Sequence, residues 1–597
     1  MRTHLGIPLL AFIIAACFCV HSAAGQTELS VSMSSGFAGY FRHGHFTPVV
    51  VRVNTGPAPL SGRMVITSDA VTIEKQIAVP GSSAREYYLA VPLSLGPIAE
   101  LGLRSGARME YQPKAVAPSA RLIALLGGAP PRIAALLRHL PEGSQTAQIE
   151  ARDLPEDFRA YEALDLLLIA DLSSAPRDEQ RQAMTAWLTR GGRMLIVSPP
   201  AGADSISSFW RRFFPADHFR TQRRLEGREM ARSLRDAGLD VIYDERFESL
   251  AGFRVGLGRV MISQYEHAYA NDGDDAATLA TLRLLELDRP PQRQPNPLLA
   301  PLAYEMSTPA EWPAGPRKTL WLAAVGYVLA MAITLIVLRS EKPVIFALSA
   351  VGFAAVFAAV IYLLLLPRSM VALESVSHAC TQSGASSAAS TRYVNFTTPG
   401  TGEVKVRASF DTPAKPLFYS DLMLSQGPVH VRVSNGASAY DTGLGSGRPT
   451  CFEQAGVLSF QGSVRITELS ADRYAISNEM RTIGTGDAID FSDLIFTDGT
   501  DAVFIERLAL GESVTVDFSP GSRASLGRIV WDHFAATRPS QHRVLRHWIS
   551  TNPPDGRLRL LGWNRMQPMP EISGRFLARK ESETLWEIRH RDDMPLK

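Results

Sequence analysis

The chain has 597 residues, 46% of them hydrophobic and 20% charged, with a formal net charge of +2. That length exceeds what a single core holds and predicts about three or four domains. The near-neutral balance excludes an electrostatic footprint for nucleic acid, and there is no long acidic or basic tail.

Residues 1–25 read as an export signal. Arg2 supplies the positive charge, Leu5 to Val20 the apolar core, and Ser22-Ala23-Ala24-Gly25 the small residues before a cut near Gln26. A membrane anchor is the competing reading, disfavoured by the polar Gln26-Thr27-Glu28 that follows. Ile14-Ala15-Ala16-Cys17 also matches a lipobox, so lipidation at Cys17 stays open. From residue 28 to 115 short β-branched runs, such as Phe46 to Asn54 and Tyr87 to Val91, are separated by Gly, Pro and Ser. They predict a small antiparallel sandwich. Within it, His43-Gly44-His45 is a turn before a strand or half of a metal pair, and no third ligand is spaced to complete it.

From Arg121 the period changes, and residues 119–290 predict an α/β domain with a parallel sheet. Leu122 to Gly128 is an apolar strand ending in glycines, and Pro131 to Leu140 a helix with Pro in its first turn. Thr146 to Ala151, Leu164 to Ala170 and Arg193 to Val197 are further strands. The helix between the last two begins near Pro176, carries Asp178 and Glu179 at its positive end, and stops at Gly191-Gly192. The stretch Leu164 to Val197, LDLLLIADLSSAPRDEQRQAMTAWLTRGGRMLIV, resembles the class I glutamine amidotransferase-like (flavodoxin-like) fold found in bacterial inner-membrane proteins, and the likeness extends over about Ser119 to Leu287. Enzymes of that family use a Cys nucleophile on a strand-to-helix elbow with a His partner. This chain has no Cys between Cys19 and Cys380 and no G-x-S-x-G elbow, so the family's amide hydrolysis does not transfer. Asp171, Ser198 and Glu266 stand near strand ends and are the candidate groups for a peptide or glycan hydrolase; caps and turns are the competing use.

An Arg-rich insertion follows between Ser205 and Asp240, with Phe209-Trp210-Arg211-Arg212-Phe213-Phe214 at its start. It reads as a helix with a solvated basic face, or as a lipid or partner surface. Phe253 to Tyr265 predicts paired strands across Gly256-Leu257-Gly258, and Asp272 to Asp275 a turn capping a helix. Residues 291–318 form a Pro-rich linker. Two apolar runs, 319–338 and 344–366, are each long enough for a helix to cross a hydrocarbon core of about 30 Å, and five residues, Arg339 to Pro343, separate them. With the export signal, they predict a two-helix protein of the bacterial inner membrane with both large segments extracytoplasmic. Small residues every four positions, among them Ala350, Ala354 and Ala358, predict close helix packing.

Residues 371–520 predict a β-rich extracytoplasmic domain of one or two sandwiches, and residues 523–597 a β-rich extension around a short helix. Cys380 and Cys451 are an even pair in an oxidising compartment and predict a disulfide worth roughly 4 kcal/mol; two free thiols are the alternative. The fold class is therefore β-sandwich, α/β domain, two transmembrane helices and further sandwiches. No nucleophile elbow, metal cluster, phosphate loop or cofactor motif is found. The expected role is a non-enzymatic scaffold or binding protein of a cell-envelope assembly, in contact with the bilayer and protein partners. Its layout resembles proteins that accompany MoxR-type ATPases and von Willebrand A-domain proteins, which is what suggests those partners.

Overall fold

The structure is a computed structural model. It describes residues 29–68, 71–92, 99–102, 108–111, 113–198, 206–211, 214, 226–243, 245, 250–264, 281–285, 287, short pieces between 325 and 356, 370–397, 404–410, 414–417, 429–434, 437–444, 450–552, 554, 556–564, 571–573, 575–579 and 583–590.

In chain order the strands used below are β1 (Ser30–Ser35), β2 (Phe46–Asn54), β3 (Leu60–Ser68), β4 (Val71–Val79), β5 (Ala84–Pro92), β6 (Leu122–Leu126), β7 (Gln145–Ile149), β8 (Leu166–Ile169), β9 (Arg193–Val197), β10 (Leu250–Val255), β11 (Gly258–Ser263), β12 (Met370–Gln382), β13 (Ser387–Thr397), β14 (Val429–Ser434), β15 (Thr450–Gln461), β16 (Phe491–Thr497), β17 (Asp501–Leu508), β18 (Arg559–Asn564) and β19 (Glu583–Arg589). The helices are α1 (Pro131–Arg138), α2 (Asp178–Thr189), α3 (Gly227–Asp236), α4 (Leu526–Phe534) and α5 (Pro539–Thr551).

Strands β6 and β8, Leu-Ile-Ala-Leu-Leu and Leu-Leu-Leu-Ile, are buried along their whole length. Only a sheet covered on both faces accommodates such runs, and these pair in parallel. The sheet runs β7-β6-β8-β9-β11-β10, with Asp240–Ile242 at its far edge, and only the last two pairings are antiparallel. Its side chains divide by parity. Leu122, Ala124 and Leu126 join the core under α2, while Ile123 and Leu125 face Leu282 and Leu285 on the other side. Helix α2 begins with Asp178 and Glu179 in its first turn, which suits the positive end of the helix dipole. It buries Ala183, Met184, Trp187 and Leu188, and Trp187 stacks on Tyr161 with ring centres 5.4 Å apart. It ends because Gly191 takes φ 108°, and Gly192 must lack a side chain: a Cβ there would lie 2.4 Å from the Trp187 ring.

The β-rich remainder is not divided in sequence order. β1, β2 and β5 form one antiparallel sheet. The hairpin β3–β4 instead joins an eight-stranded sheet in which β4 runs parallel to β14, Val71 opposite Val429 and Lys75 opposite Val433. The largest sheet has β12 at its centre, antiparallel to β13 and parallel to β19, with β18, β16 and β17 following. α4 and α5 cover one face of it through Leu526, Val530, Phe534, Val544, Leu545 and Trp548. Phe460, Ile476, Phe491 and Trp586 fill the other face.

The fold class expected from sequence is thereby corrected. The described residues are mostly β-strand, in mixed sheets that draw on both halves, rather than a sandwich, an α/β unit, two membrane helices and a sandwich in succession. Most of 319–366 lies outside the described residues. Among the described residues no helix is long and apolar enough to cross a membrane. Val328, Leu329 and Ile336 are exposed. The two transmembrane helices and the inner-membrane location inferred from them are withdrawn with that finding. The export signal with Cys17, the linker 291–318, and Glu266 and Asp272 to Asp275 also lie outside the described residues.

Candidate functional site

The carboxyl edge of the parallel sheet is where an α/β domain ordinarily holds a ligand. Strands β8 and β9 pair Ile169 with Ile196, so Asp171 and Ser198 follow two residues later on neighbouring strand ends. Asp171 is turned into its own loop, where its Oδ1 accepts the Ser173 N–H at 2.9 Å. Gly127 ends β6 with φ 90°, and a Cβ there would lie 2.9 Å from Asp171 Cβ, so the two strand ends are in contact. Ser198 is 2% exposed, and its N–H donates to Ser263 O at 2.8 Å; Ser263 and Gln264 are buried beside it. The turn Ser208–Arg211 lies nearby, with Ser207 N–H bonded to Leu172 O and Trp210 Nε1 donating to Ser174 O at 3.0 Å. Leu172, Ile206, Phe209, Trp210 and Phe214 all enter the core. The Phe209-Trp210 pair, read from sequence as one option for a lipid or partner surface, is therefore packed inward. In α3 the stripe Met230, Ala231 and Leu234 is buried while Arg228, Arg232 and Arg235 are exposed.

The opposite edge carries a charge cluster that sequence reasoning missed. Asp165 precedes β8 and Arg121 precedes β6. Arg121 Nη1 meets Asp165 Oδ1 at 2.7 Å, Arg42 Nη2 meets Oδ2 at 2.5 Å, and the Leu122 N–H donates to Oδ2 at 2.9 Å. Arg121 is fully buried, and Arg42 also donates to Ala120 O at 2.8 Å. One carboxylate thus ties the amino ends of two parallel strands to a segment some 120 residues earlier, since Arg42 and Asp165 are 123 positions apart. Beside Arg42, His43-Gly44-His45 is a turn: Gly44 takes φ 73° and the His45 N–H donates to Arg42 O at 3.2 Å. Among the described residues no three His, Cys, Asp or Glu are grouped to hold a metal ion.

A second cluster lies under α4 and α5. Glu587 on β19 is 1% exposed. Its Oε2 meets His378 Nε2 and Trp548 Nε1, both at 3.2 Å. Its Oε1 meets Arg589 Nε at 2.8 Å and Arg559 Nε at 3.4 Å. Burial alone pushes this carboxyl upward. The Arg589 and Arg559 guanidiniums and the His378 hydrogen bond outweigh it and hold it well below the usual carboxylate range. The geometry comes from alternation: His378 and Cys380 share a face of β12, Glu587 and Arg589 a face of β19, and Arg559 a face of β18. A Cys-His-Glu triad is not formed here chemically, because burial pushes the Cys380 thiol up to about 12 and little of it is thiolate at neutral pH.

Cys380 and Cys451 are both free thiols, which corrects the expected disulfide. Cys380 stands opposite Ala389 and Ala389 opposite Val457, six residues along β15 from Cys451. At about 3.3 Å per residue and two strand spacings of about 4.8 Å, the pair is roughly 20 Å apart, whereas a disulfide needs Cα atoms within about 7 Å. We expect an intact mass unchanged by reductant, with both thiols slow to label until the protein is denatured. A mass gain on reduction would restore the bridge.

A third junction joins the α/β sheet to the large sheet. Arg190, which caps α2, donates from Nη1 to Ser390 O at 2.5 Å and Gly456 O at 2.9 Å, on β13 and β15. Its Nη2 lies 4.0 Å from buried Glu162.

No protein family matches the chain, and no curated protein matches it. Among solved structures, the mu-homology domain of yeast delta-COP-I, complexed with the Dsl1 WxWxV peptide, aligns at 8% identity over 37% of this chain and 96% of that chain, with a TM-score of 0.16. A likeness that low carries no argument about fold or function, and it does not bear on the amidotransferase-like resemblance.

Proposed function

We propose that the chain is a non-enzymatic scaffold or binding protein of a protein assembly. The observation that supports this reading is the use made of the buried charged groups. Asp165, Glu587 and Arg190 each join elements distant in sequence, at the amino edge of the parallel sheet, under the helix pair, and between the two sheets. Groups committed to such contacts position surfaces. Removing any one of them would leave a buried partner behind. Asp171 and Ser198, the hydrolase candidates, are engaged in a turn and in a sealed strand end. Protein partners, including the ATPase and von Willebrand A-domain proteins suggested by the resemblance, belong to the same proposal.

Gentle crosslinking of the full chain in its native extract, followed by size fractionation, tests it. A defined complex larger than the monomer is the expected result. The reading falls if purified protein hydrolyses a peptide or glycan substrate and Ser198→Ala or Asp171→Asn abolishes the turnover.

A further inference from the structure

The helix pair α4–α5 closes one core and leaves its outer face in solvent. Between Leu526 and Thr551 the sequence holds four arginines and one aspartate. Arg528 pairs with that aspartate, Asp532, at 3.3 Å, and Arg538 pairs with Asp493. Arg543 and Arg546 draw no acidic partner among the described residues. They stand three apart, one helical turn, opposite the buried stripe Gln541, Val544, Leu545 and Trp548. Between the helices lies Trp531, 64% exposed, its ring edge-on to His542 with centres 5.6 Å apart. A large aromatic held open beside uncompensated cations is a pattern of interface anchors rather than of a solvated face, which keeps its charges and omits the tryptophan.

We infer that this face docks an acidic peptide segment of a protein partner. The inference rests on the scaffold reading above and names the partner's chemistry. Charge complementarity selects the occupant: carboxylates would pair with Arg543 and Arg546, while an apolar side chain covers Trp531. The chain's net charge of +2 argues against a nucleic-acid backbone as the occupant. A helix of 13 residues is roughly 20 Å long at about 1.5 Å per residue, so an extended segment of about six residues, at about 3.3 Å each, covers it.

The test uses the full chain and a fluorescein-labelled peptide rich in Asp and Glu with one central Leu, read by anisotropy. Binding that weakens with added salt is expected. The double variant Arg543→Glu/Arg546→Glu and the separate variant Trp531→Ala should each lower affinity about tenfold or more. Trp531 and Arg546 are exposed and Arg543 is half-buried, and unchanged thermal unfolding checks that the variants fold. Equal binding by wild type and both variants overturns the inference. So does binding of phosphatidylserine vesicles or single-stranded DNA without binding of the peptide. If the crosslinked complex forms but the peptide does not bind, this inference fails and the scaffold reading stands.

Discussion

Replacing Glu587 with glutamine is expected to destabilise the large sheet by about 3–5 kcal/mol, the range for removing one member of a buried ion pair. The side chain keeps its size, so no cavity contributes. What changes is the counter-charge. Arg589 is 30% exposed and can turn to water, but Arg559 is 6% exposed and would be left with its charge in the interior. Trp548 and Trp563 lie in the same core, and their fluorescence reports its unfolding in urea. The pH dependence has a definite sign. Glu587 is depressed in the folded chain relative to an ordinary 4.5. Its contribution is therefore complete above that value and declines as pH falls toward the depressed one. The gap between wild type and Glu587→Gln should be constant near neutrality and narrow in acid. A gap that is absent at pH 7, or that widens in acid, would show that the carboxylate does not hold this junction.

The same residue shows where sequence reading stops. Thr584 to Ile588 reads as a closing strand, and β19 occupies that position. Alternation assigns Trp586 and Ile588 to the core and leaves Leu585 and Glu587 for the other face, which a single strand would turn toward water. α4 and α5, from about forty residues earlier, cover that face instead. Local pattern records which residues share a side but not what arrives to cover it. The pairing of β4 with β14 was hidden for the same reason: both alternate cleanly, and nothing in either specifies a partner more than 350 residues away. By contrast, Leu122 to Leu126 and Arg193 to Val197 were legible as strands because continuous apolar runs bounded by glycine or proline admit few alternatives. The candidate groups at the carboxyl edge, Asp171 and Ser198, were placed at strand ends by this logic. The buried clusters were not found. Asp165 carried a signal, a single carboxylate leading directly into Leu-Leu-Leu-Ile, where burial of the strand predicts burial of its first neighbour.

That carboxylate supplies the last test. Asp165→Leu is expected to cost about 3–5 kcal/mol, because Arg121 is completely buried and would lose its counter-ion. Removing the charge on both sides separates the causes. In Arg121→Met/Asp165→Leu no charge is left in the fully buried position, and Arg42, with a side chain 12% exposed, has a route to water. The double variant should therefore recover part of the stability lost in the single one, a coupling of about 0.5–3 kcal/mol in a double-mutant cycle. Urea unfolding gives the energies, and hydrogen exchange at Leu122 to Leu126 and Leu166 to Ile169 localises them. If the double variant is no more stable than Asp165→Leu, the stranded Arg121 charge is not the cause. The loss would then come from the Leu122 N–H and Arg42 contacts that Asp165 also makes. The cluster would in that case act as a hydrogen-bonded clasp between Arg42 and the strand ends, and Arg42→Met alone should reproduce most of the deficit.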